Sequence, residues 1–322
     1  MIIVTGAAGF IGSCLVKKLN SENFNAIIAV DKFDNSSKKG NLKDAKIQEY
    51  VDRDQFMSWL DKNNELVEFL FHIGARTDTT EMDTVLFDRL NTQYSKDVWA
   101  RCIKYQIPLV YASSAATYGL GENGYDDDES KIKQLKPLNP YGQSKQDFDV
   151  WALKQEERPF FWAGLKFFNV YGPNEYHKGR MASVIWHAFN QINETGKMKL
   201  FRSHNSEFKD GEQMRDFVYV KDVVEVCSFL MHHRKNSGIY NLGSGKARTF
   251  LDLTKAVFKG LGKNEQIEFI DTPIDIRDKY QYFTEANMSK LQRIGYDKPF
   301  HSLEAGTLDY VQNYLSQGLK IY

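Results

Sequence analysis

Short, almost unbroken apolar runs alternate along the first half of the chain with longer stretches in which apolar and polar residues mix. The runs MIIVT, AIIAV, LVEFLFH, PLVYA and PFFWAGLKFF read as strands near residues 2–5, 26–30, 66–72, 108–112 and 160–168. The mixed segments have helical length, with starts near Phe10, Asp83 and Pro140. Such alternation predicts crossover helices joining the strands of a parallel sheet. The expected class is therefore α/β, a Rossmann-type doubly wound parallel sheet. After Gly172-Pro173 the pattern loosens into a helix over 182–192, a short strand around Leu200 and further mixed pieces. That remainder is too short and too mixed for a second complete sheet domain. The expected division is residues 1–170 as the sheet domain and 171–322 mainly as a smaller lobe over the carboxyl edge of the sheet, with some segments returning to the first domain.

Composition narrows the partners. The 322 residues are 42% hydrophobic and 14% aromatic, enough for a substantial core. Basic and acidic residues balance at 42 each, so no overall field recruits nucleic acid or an anionic membrane. No run approaches the roughly 18 apolar residues of a membrane span, and no basic leader precedes the first apolar run. Cys14, Cys102 and Cys227 are odd in number and widely spread, which disfavours a disulfide framework and a zinc site. A soluble cytoplasmic protein is expected. The adjacent His232 and His233 lack partners at metal spacing, so no metal site is expected. GENGYDDDES (121–130) reads as a solvated acidic loop, and NLGSGKA (241–247) as a turn leading from a strand into a helix.

Candidate chemistry begins at the first strand end. MIIVTGAAGFIGS places Gly6, Gly9 and Gly12 between a strand and a helix opening at Phe10. Glycines allow close backbone approach, and a helix N-terminus offers unpaired N–H groups to a pyrophosphate. Asp31 ends the second strand 19 residues beyond Gly12, near the spacing of about 20 at which a carboxylate holds ribose hydroxyls. Together these features predict a dinucleotide site. Lys32, Lys38, Lys39 and Arg53 follow closely enough to neutralise a 2′-phosphate. They read equally well as solvated lysines and an arginine, so on these residues alone NADP and NAD both remain open.

NPYGQSK (139–145) supplies the second piece. Asn139 is a good N-cap and Pro140 a good first helical residue, so Tyr141 and Lys145 fall one turn apart on one face. The same spacing recurs at Tyr176 and Arg180, so surroundings must give the pair its meaning. Beside a nicotinamide, an ammonium is expected to lower the phenol's pKa from its usual value of about 10, making Tyr141 a base for an alcohol. Upstream, Ser113 and Ser114 end a strand at the ligand edge.

With TGAAGFIG, YASSAATYG and YGQSK in this order, the chain resembles the extended short-chain dehydrogenase/reductase superfamily over its full length. The resemblance implies that Ser114 joins Tyr141 and Lys145 as a catalytic residue. Ala115 and Ala116 stand where sugar-nucleotide dehydratases of the superfamily carry an acidic pair, which speaks against dehydration. Within the superfamily, FFNVYGPNEYHKGRMASV (167–184), FKDGEQMRDFVYVKDV (208–223) and YDKPF (296–300) resemble the ADP-L-glycero-D-manno-heptose 6-epimerases. That closer resemblance implies an isomerase that inverts C6 of ADP-heptose through transient oxidation with tightly bound NADP, for the inner core of lipopolysaccharide. Lys178 is implied as a second proton carrier opposite Tyr141, although by itself it reads as a solvated loop lysine. Implied cofactor contacts are Gly6, Gly9, Phe10, Ile11, Gly12, Asp31, Lys32, Lys38, Arg53, Gly74, Ala75, Asn91, Lys145, Val170 and Lys178. Implied substrate contacts are Ser114, Asn169, Arg180, His187, Phe201, Arg215 and Tyr280; Arg180 departs from the serine of some members. Arg215 suits a diphosphate through its planar fork, or an ordinary surface ion pair. The family also implies a homo-oligomer. The rival readings are an epimerase or reductase acting on a UDP- or dTDP-sugar, and a non-catalytic nucleotide sensor, for which an intact Tyr141, Lys145 and Ser114 are superfluous.

Overall fold

The first apolar run forms β1 (Ile2–Thr5), buried along its length, and the glycine turn after it leads into α1 (Phe10–Ser21). β2 (Ile27–Asp31), β3 (Glu49–Asp52), α2 (Phe56–Asn63), β4 (Phe69–His72), α3 (Thr84–Phe87) and α4 (Tyr94–Lys104) follow. Then come β5 (Leu109–Ser114), α5 (Glu129–Ile132), α6 (Pro140–Lys154) and β6 (Trp162–Phe167). The computed structural model describes residues 1–34, 36–277 and 280–322.

The second half contains β7 (Asn169–Tyr171), α7 (Val184–Thr195), β8 (Met198–Phe201), β9 (Met214–Tyr219), α8 (Val220–His232) and β10 (Gly238–Leu242). It continues through β11 (Ala247–Thr249), α9 (Phe250–Leu261), β12 (Ile267–Ile270), α10 (Ile274–Arg277), α11 (Ser289–Arg293) and α12 (Leu303–Asn313).

Among the described residues, seven parallel strands form the main sheet in the order β10-β6-β5-β4-β1-β2-β3. The order reverses between β1 and β4, and in open α/β sheets the crevice beyond the strand ends at that point receives the ligand. Strand β10 comes from the second half of the chain and pairs with β6. Two small sheets, β11-β9-β7 and β12-β8, complete the described pairing. Backbone register links the two halves: Ser114 lies opposite Phe167, and two residues later Asn169 lies opposite Phe217 on β9.

Several expectations are corrected. β3 and α2 were not anticipated. Val51 is the one buried residue of β3, so an edge strand with so little apolar surface shows no apolar run. β4 begins at Phe69 rather than 66, because Asn64–Leu66 closes a 3-10 turn first. The helix expected near Asp83 starts at Thr84 and passes through a π turn, Asp88–Gln93, before α4. The acidic segment 121–130 is not simply solvated. Asp127 is buried and accepts the Asn241 N–H at 2.8 Å, while Glu129 accepts the Ile239 N–H at 3.0 Å and pairs with Lys290 at 2.8 Å. The run thereby covers N–H groups of edge strand β10, a common way of protecting a sheet edge. Cys14, Cys102 and Cys227 are buried free thiols in α1, α4 and α8. Among the described residues no helix is long and apolar enough to cross a membrane.

Candidate active site

The cradle lies at the ends of β1 and β4. Gly6 has φ +67°, and a Cβ there would sit 2.5 Å from the Gly74 Cα. A Cβ on Gly12 would strike the Gly6 carbonyl oxygen, and one on Gly74 would lie 2.9 Å from the Gly6 nitrogen. Three backbones thus meet without side chains between them. Helix α1 begins here with Gly9 as an N-cap that offers no side-chain bond and with no acidic residue in its first turn, so its dipole and N–H groups suit an anion. Phe10 is buried and Ile11 half-buried in that first turn. This closed cradle and bare helix end fit the pyrophosphate of a dinucleotide.

Asp31 is buried at the end of β2, where its carboxylate accepts the Ala8 N–H at 2.9 Å and the Lys32 N–H at 2.7 Å. Lys38 Nζ lies 3.4 Å from the same carboxylate. Lys32 instead pairs with Asp54 at 2.8 Å and Asp52 at 3.4 Å, and Arg53 Nε with Asp54 at 3.1 Å. Of these cations, then, Lys38 is the one set beside Asp31; the Lys39 side chain lies outside the described residues.

At the start of α6 the Asn139 side chain accepts the Gly142 N–H at 2.8 Å, and Pro140 occupies the first helical turn. Gly142 lets the helix approach closely, since a Cβ there would lie 2.9 Å from the Ala116 carbonyl oxygen. Burial pushes the Tyr141 phenol's pKa up, against a smaller downward effect of the neighbouring Ser114 side chain. Lys145 is 5% exposed and its Nζ donates to the Ala112 carbonyl at 2.8 Å. Burial lowers its pKa to about 8 against the pull of Asp149. The expectation of a depressed phenol is therefore corrected for the chain by itself. The ammonium is turned to Ala112 and Asp149, leaving desolvation to dominate at Tyr141.

The two serines separate cleanly. Ser113 Oγ donates to Asp149 at 2.6 Å, whereas Ser114 Oγ accepts the Ala116 N–H at 3.1 Å and is the serine beside Tyr141. Asn91 is buried and its amide is spent on both Arg76 backbone groups and on Ser144 Oγ, so it braces the loop bearing half-buried Gly74 and Ala75 against α6. His72, which sequence reasoning missed, is buried on β4 between Thr5 Oγ1 at 2.7 Å and Ser95 Oγ at 3.0 Å. Burial, assisted by Lys145, pushes its pKa down to about 3.

Lys178 lies in the 3-10 segment Tyr176–Met181, which Gly179 interrupts with φ +54°. Its Nζ sits 5.5 Å from the centre of the Phe10 ring, turned to the cradle, and burial lowers its pKa despite Glu175. Asn41 is a further residue missed from the sequence. Its side-chain nitrogen donates to the Ala8 carbonyl at 3.0 Å and the Asn174 carbonyl at 3.1 Å, and lies 3.2 Å from His177 Nδ1. It joins the glycine loop to the Lys178 segment across more than 130 residues of chain, with no local signal to reveal it.

The expected substrate contacts divide. Arg180 is exposed and held by Asp78 at 3.2 Å, and His187 is exposed on α7 with Nε2 3.4 Å from the Arg180 carbonyl. Asn169 is exposed and Val170 half-buried on β7. Arg215 on β9 is 8% exposed; it donates to the Met214 carbonyl at 2.8 Å and lies over the Phe250 and Tyr280 rings at 5.7 and 5.5 Å. Phe201 packs edge-on against Tyr280 at 6.3 Å. Among the described residues no carboxylate pairs with this guanidinium, so the surface-ion-pair reading of Arg215 is set aside. Its neighbour Asp216 is buried and accepts N–H groups from Ser244, Gly245 and Ala286 at 2.6, 3.0 and 3.0 Å. The turn at NLGSGKA thus encloses the protein's own carboxylate rather than a phosphate.

Fold and site define a Rossmann-type α/β protein whose glycine cradle suits a dinucleotide and which sets Ser114, Tyr141 and Lys145 at the strand ends of the same sheet. The chain belongs to the NAD dependent epimerase/dehydratase family, which residues 2–243 match. It is 50% identical to ADP-L-glycero-D-manno-heptose-6-epimerase of Fusobacterium nucleatum subsp. nucleatum, over 98% of both chains. It is 47% identical to the protein of that name from Nitratidesulfovibrio vulgaris, again over 98% of each. Among solved structures, the ADP-L-glycero-D-manno-heptose-6-epimerase of Helicobacter pylori superimposes with a TM-score of 0.81 at 28% identity, covering 97% of this chain and 95% of that one.

Proposed function

We propose that the protein is an isomerase that inverts C6 of ADP-D-glycero-D-manno-heptose to give the L-glycero epimer, a precursor of the lipopolysaccharide inner core. Relatives of that name matching nearly the whole chain support the substrate. One observation carries the reaction type: two buried or half-buried proton carriers, Tyr141 on α6 and Lys178 on the 176–181 turn, stand on separate elements. Inverting a carbinol through a ketone requires proton transfer for both stereoisomers, and two carriers meet that need.

A bound nicotinamide supplies the hydride acceptor and donor for this redox-neutral exchange. Tyr141 holds the carbinol oxygen together with Ser114 and exchanges its proton. Because burial favours the neutral phenol, proton acceptance there requires positive charge beyond the Lys145 ammonium. Lys178, with its pKa lowered by burial, exchanges the proton of the other epimer. Arg215 suits the diphosphate, with Tyr280 and Phe201 shaping the wall around it. Asp31 repels a 2′-phosphate and Lys38 beside it offsets that repulsion, so the reading takes NADP as the cofactor on the strength of the family resemblance. The reading includes a cytoplasmic homo-oligomer.

Incubating cofactor-loaded protein with ADP-D-glycero-D-manno-heptose should give a mixture of both C6 epimers by NMR, while UDP- and dTDP-sugars stay unchanged. No conversion by a loaded, folded sample contradicts the assignment.

A further inference from the structure

Tyr141, Lys145 and Asp149 succeed one another at four-residue intervals, forming one stripe along α6. Each meets a different level of β5. Tyr141 lies beside Ser114, Lys145 donates to the Ala112 carbonyl, and Asp149 accepts Ser113 Oγ at 2.6 Å and the Tyr111 hydroxyl at 3.0 Å. Asp149 also pairs at 2.7 Å with Lys166 of β6, and both side chains are 0% exposed. Lys166 donates a second bond to Thr117 Oγ1 at 2.7 Å, and the Thr117 hydroxyl donates to the Ser114 carbonyl at 2.8 Å. The network therefore runs from the helix stripe, through a buried ion pair, back to the backbone of the serine that holds the phenol.

Stability does not account for such a pair. Desolvating two charges is costly, and packed apolar residues of similar volume commonly serve as well or better. Its geometry has a more specific consequence, because Asp149 engages Ser113 and leaves the adjacent Ser114 to Tyr141.

We infer that Asp149, paired with Lys166, is a positioning residue: it fixes the register of α6 against β5 so that Tyr141 meets Ser114, and it sets a negative charge beside Lys145. The inference rests on the Tyr141, Lys145 and Ser114 reading above. Among the described residues, the titratable groups coupled to Lys145 are Asp149 on its own helix and His72 on β4; behind Asp149 stand Tyr111 of β5 and Lys166 of β6. His72 is neutral near pH 7, and Tyr111 is held protonated by burial and by Asp149. Asp149 is thus the anion in this surrounding.

The test uses Asp149→Asn and the double variant Asp149→Asn/Lys166→Met, which removes both charges and leaves no unpaired buried ion. In each, cofactor content should match the parent and KM for ADP-heptose should stay within about twofold, while kcat falls roughly 10- to 100-fold, the scale of a misplaced catalytic group. Independently of turnover, the Lys145 signal of Asp149→Asn protein carrying 13Cε-lysine, assigned by its loss in Lys145→Arg, should titrate below that of the parent. A folded double variant with parental kcat, or a folded Asp149→Asn variant with an unmoved Lys145 midpoint, overturns the inference. If the parent fails to epimerise ADP-heptose yet the Lys145 midpoint moves, the proposed function falls while the placement of Asp149 stands.

Discussion

Tyr141 and Lys178 carry the proposed proton transfers, and Arg180, only two residues beyond Lys178, does not. Replacing Tyr141 by Phe removes one hydroxyl and should lower turnover on the order of 10²–10⁴-fold. The nucleotide released on denaturing that variant should equal the parent's, since the hydroxyl lies beside Ser114 and not in the glycine cradle. Arg180→Ala should change kcat by less than about fivefold, because its guanidinium forms an exposed pair with Asp78. A large loss there would show that the pair opens to hold substrate. Lys145 gives a pH dependence: its ammonium is present below about pH 8 and lost as pH rises through that value. If the ammonium is required, kcat should decline on that alkaline side, and a flat profile to pH 10 would remove Lys145 from the mechanism.

Helix α6 shows how a local signal sets a site. Asn139 caps it, Pro140 starts it and Gly142 lets it lie against Ala116. Asn139→Ala should cost about 1 kcal/mol of stability, read as a shift in the urea midpoint at unchanged slope. The cap, the glycine cradle and the interior strands were legible because each depends on adjacent residues or on a continuous apolar run. Edge strand β3, with Val51 as its one buried residue, had no such run. The choice between Ser113 and Ser114 followed from the resemblance, and its physical basis is Asp149, some 36 residues away. The lowered phenol pKa was expected with the ammonium and an oxidised nicotinamide acting together; in the chain by itself burial dominates, and only folded geometry shows the Lys145 Nζ pointing to Ala112. Asn41 was illegible for the same reason, since its partners Asn174 and His177 come from the second half of the chain.

Across the whole molecule, the second half of the chain rejoins the first at the β6 edge of the main sheet. Strand β10 returns to that sheet beside β6, and β7 carries the chain from the sheet into the smaller one that holds Arg215. The Lys178 turn is tied from both directions: Asn41 reaches it from the glycine side, while Tyr322 N–H donates to Asn174 at 2.8 Å and Tyr176 donates to the Lys320 carbonyl at 2.7 Å. These ties hold the turn that carries Lys178 in place. The most direct measurement is the fate of the C6 hydrogen, followed by NMR with ADP-D-glycero-D-manno-heptose deuterated at C6. Transient oxidation predicts that the L-glycero product formed in ordinary water keeps its deuterium at C6; replacement of that deuterium by solvent hydrogen during epimerisation would contradict it.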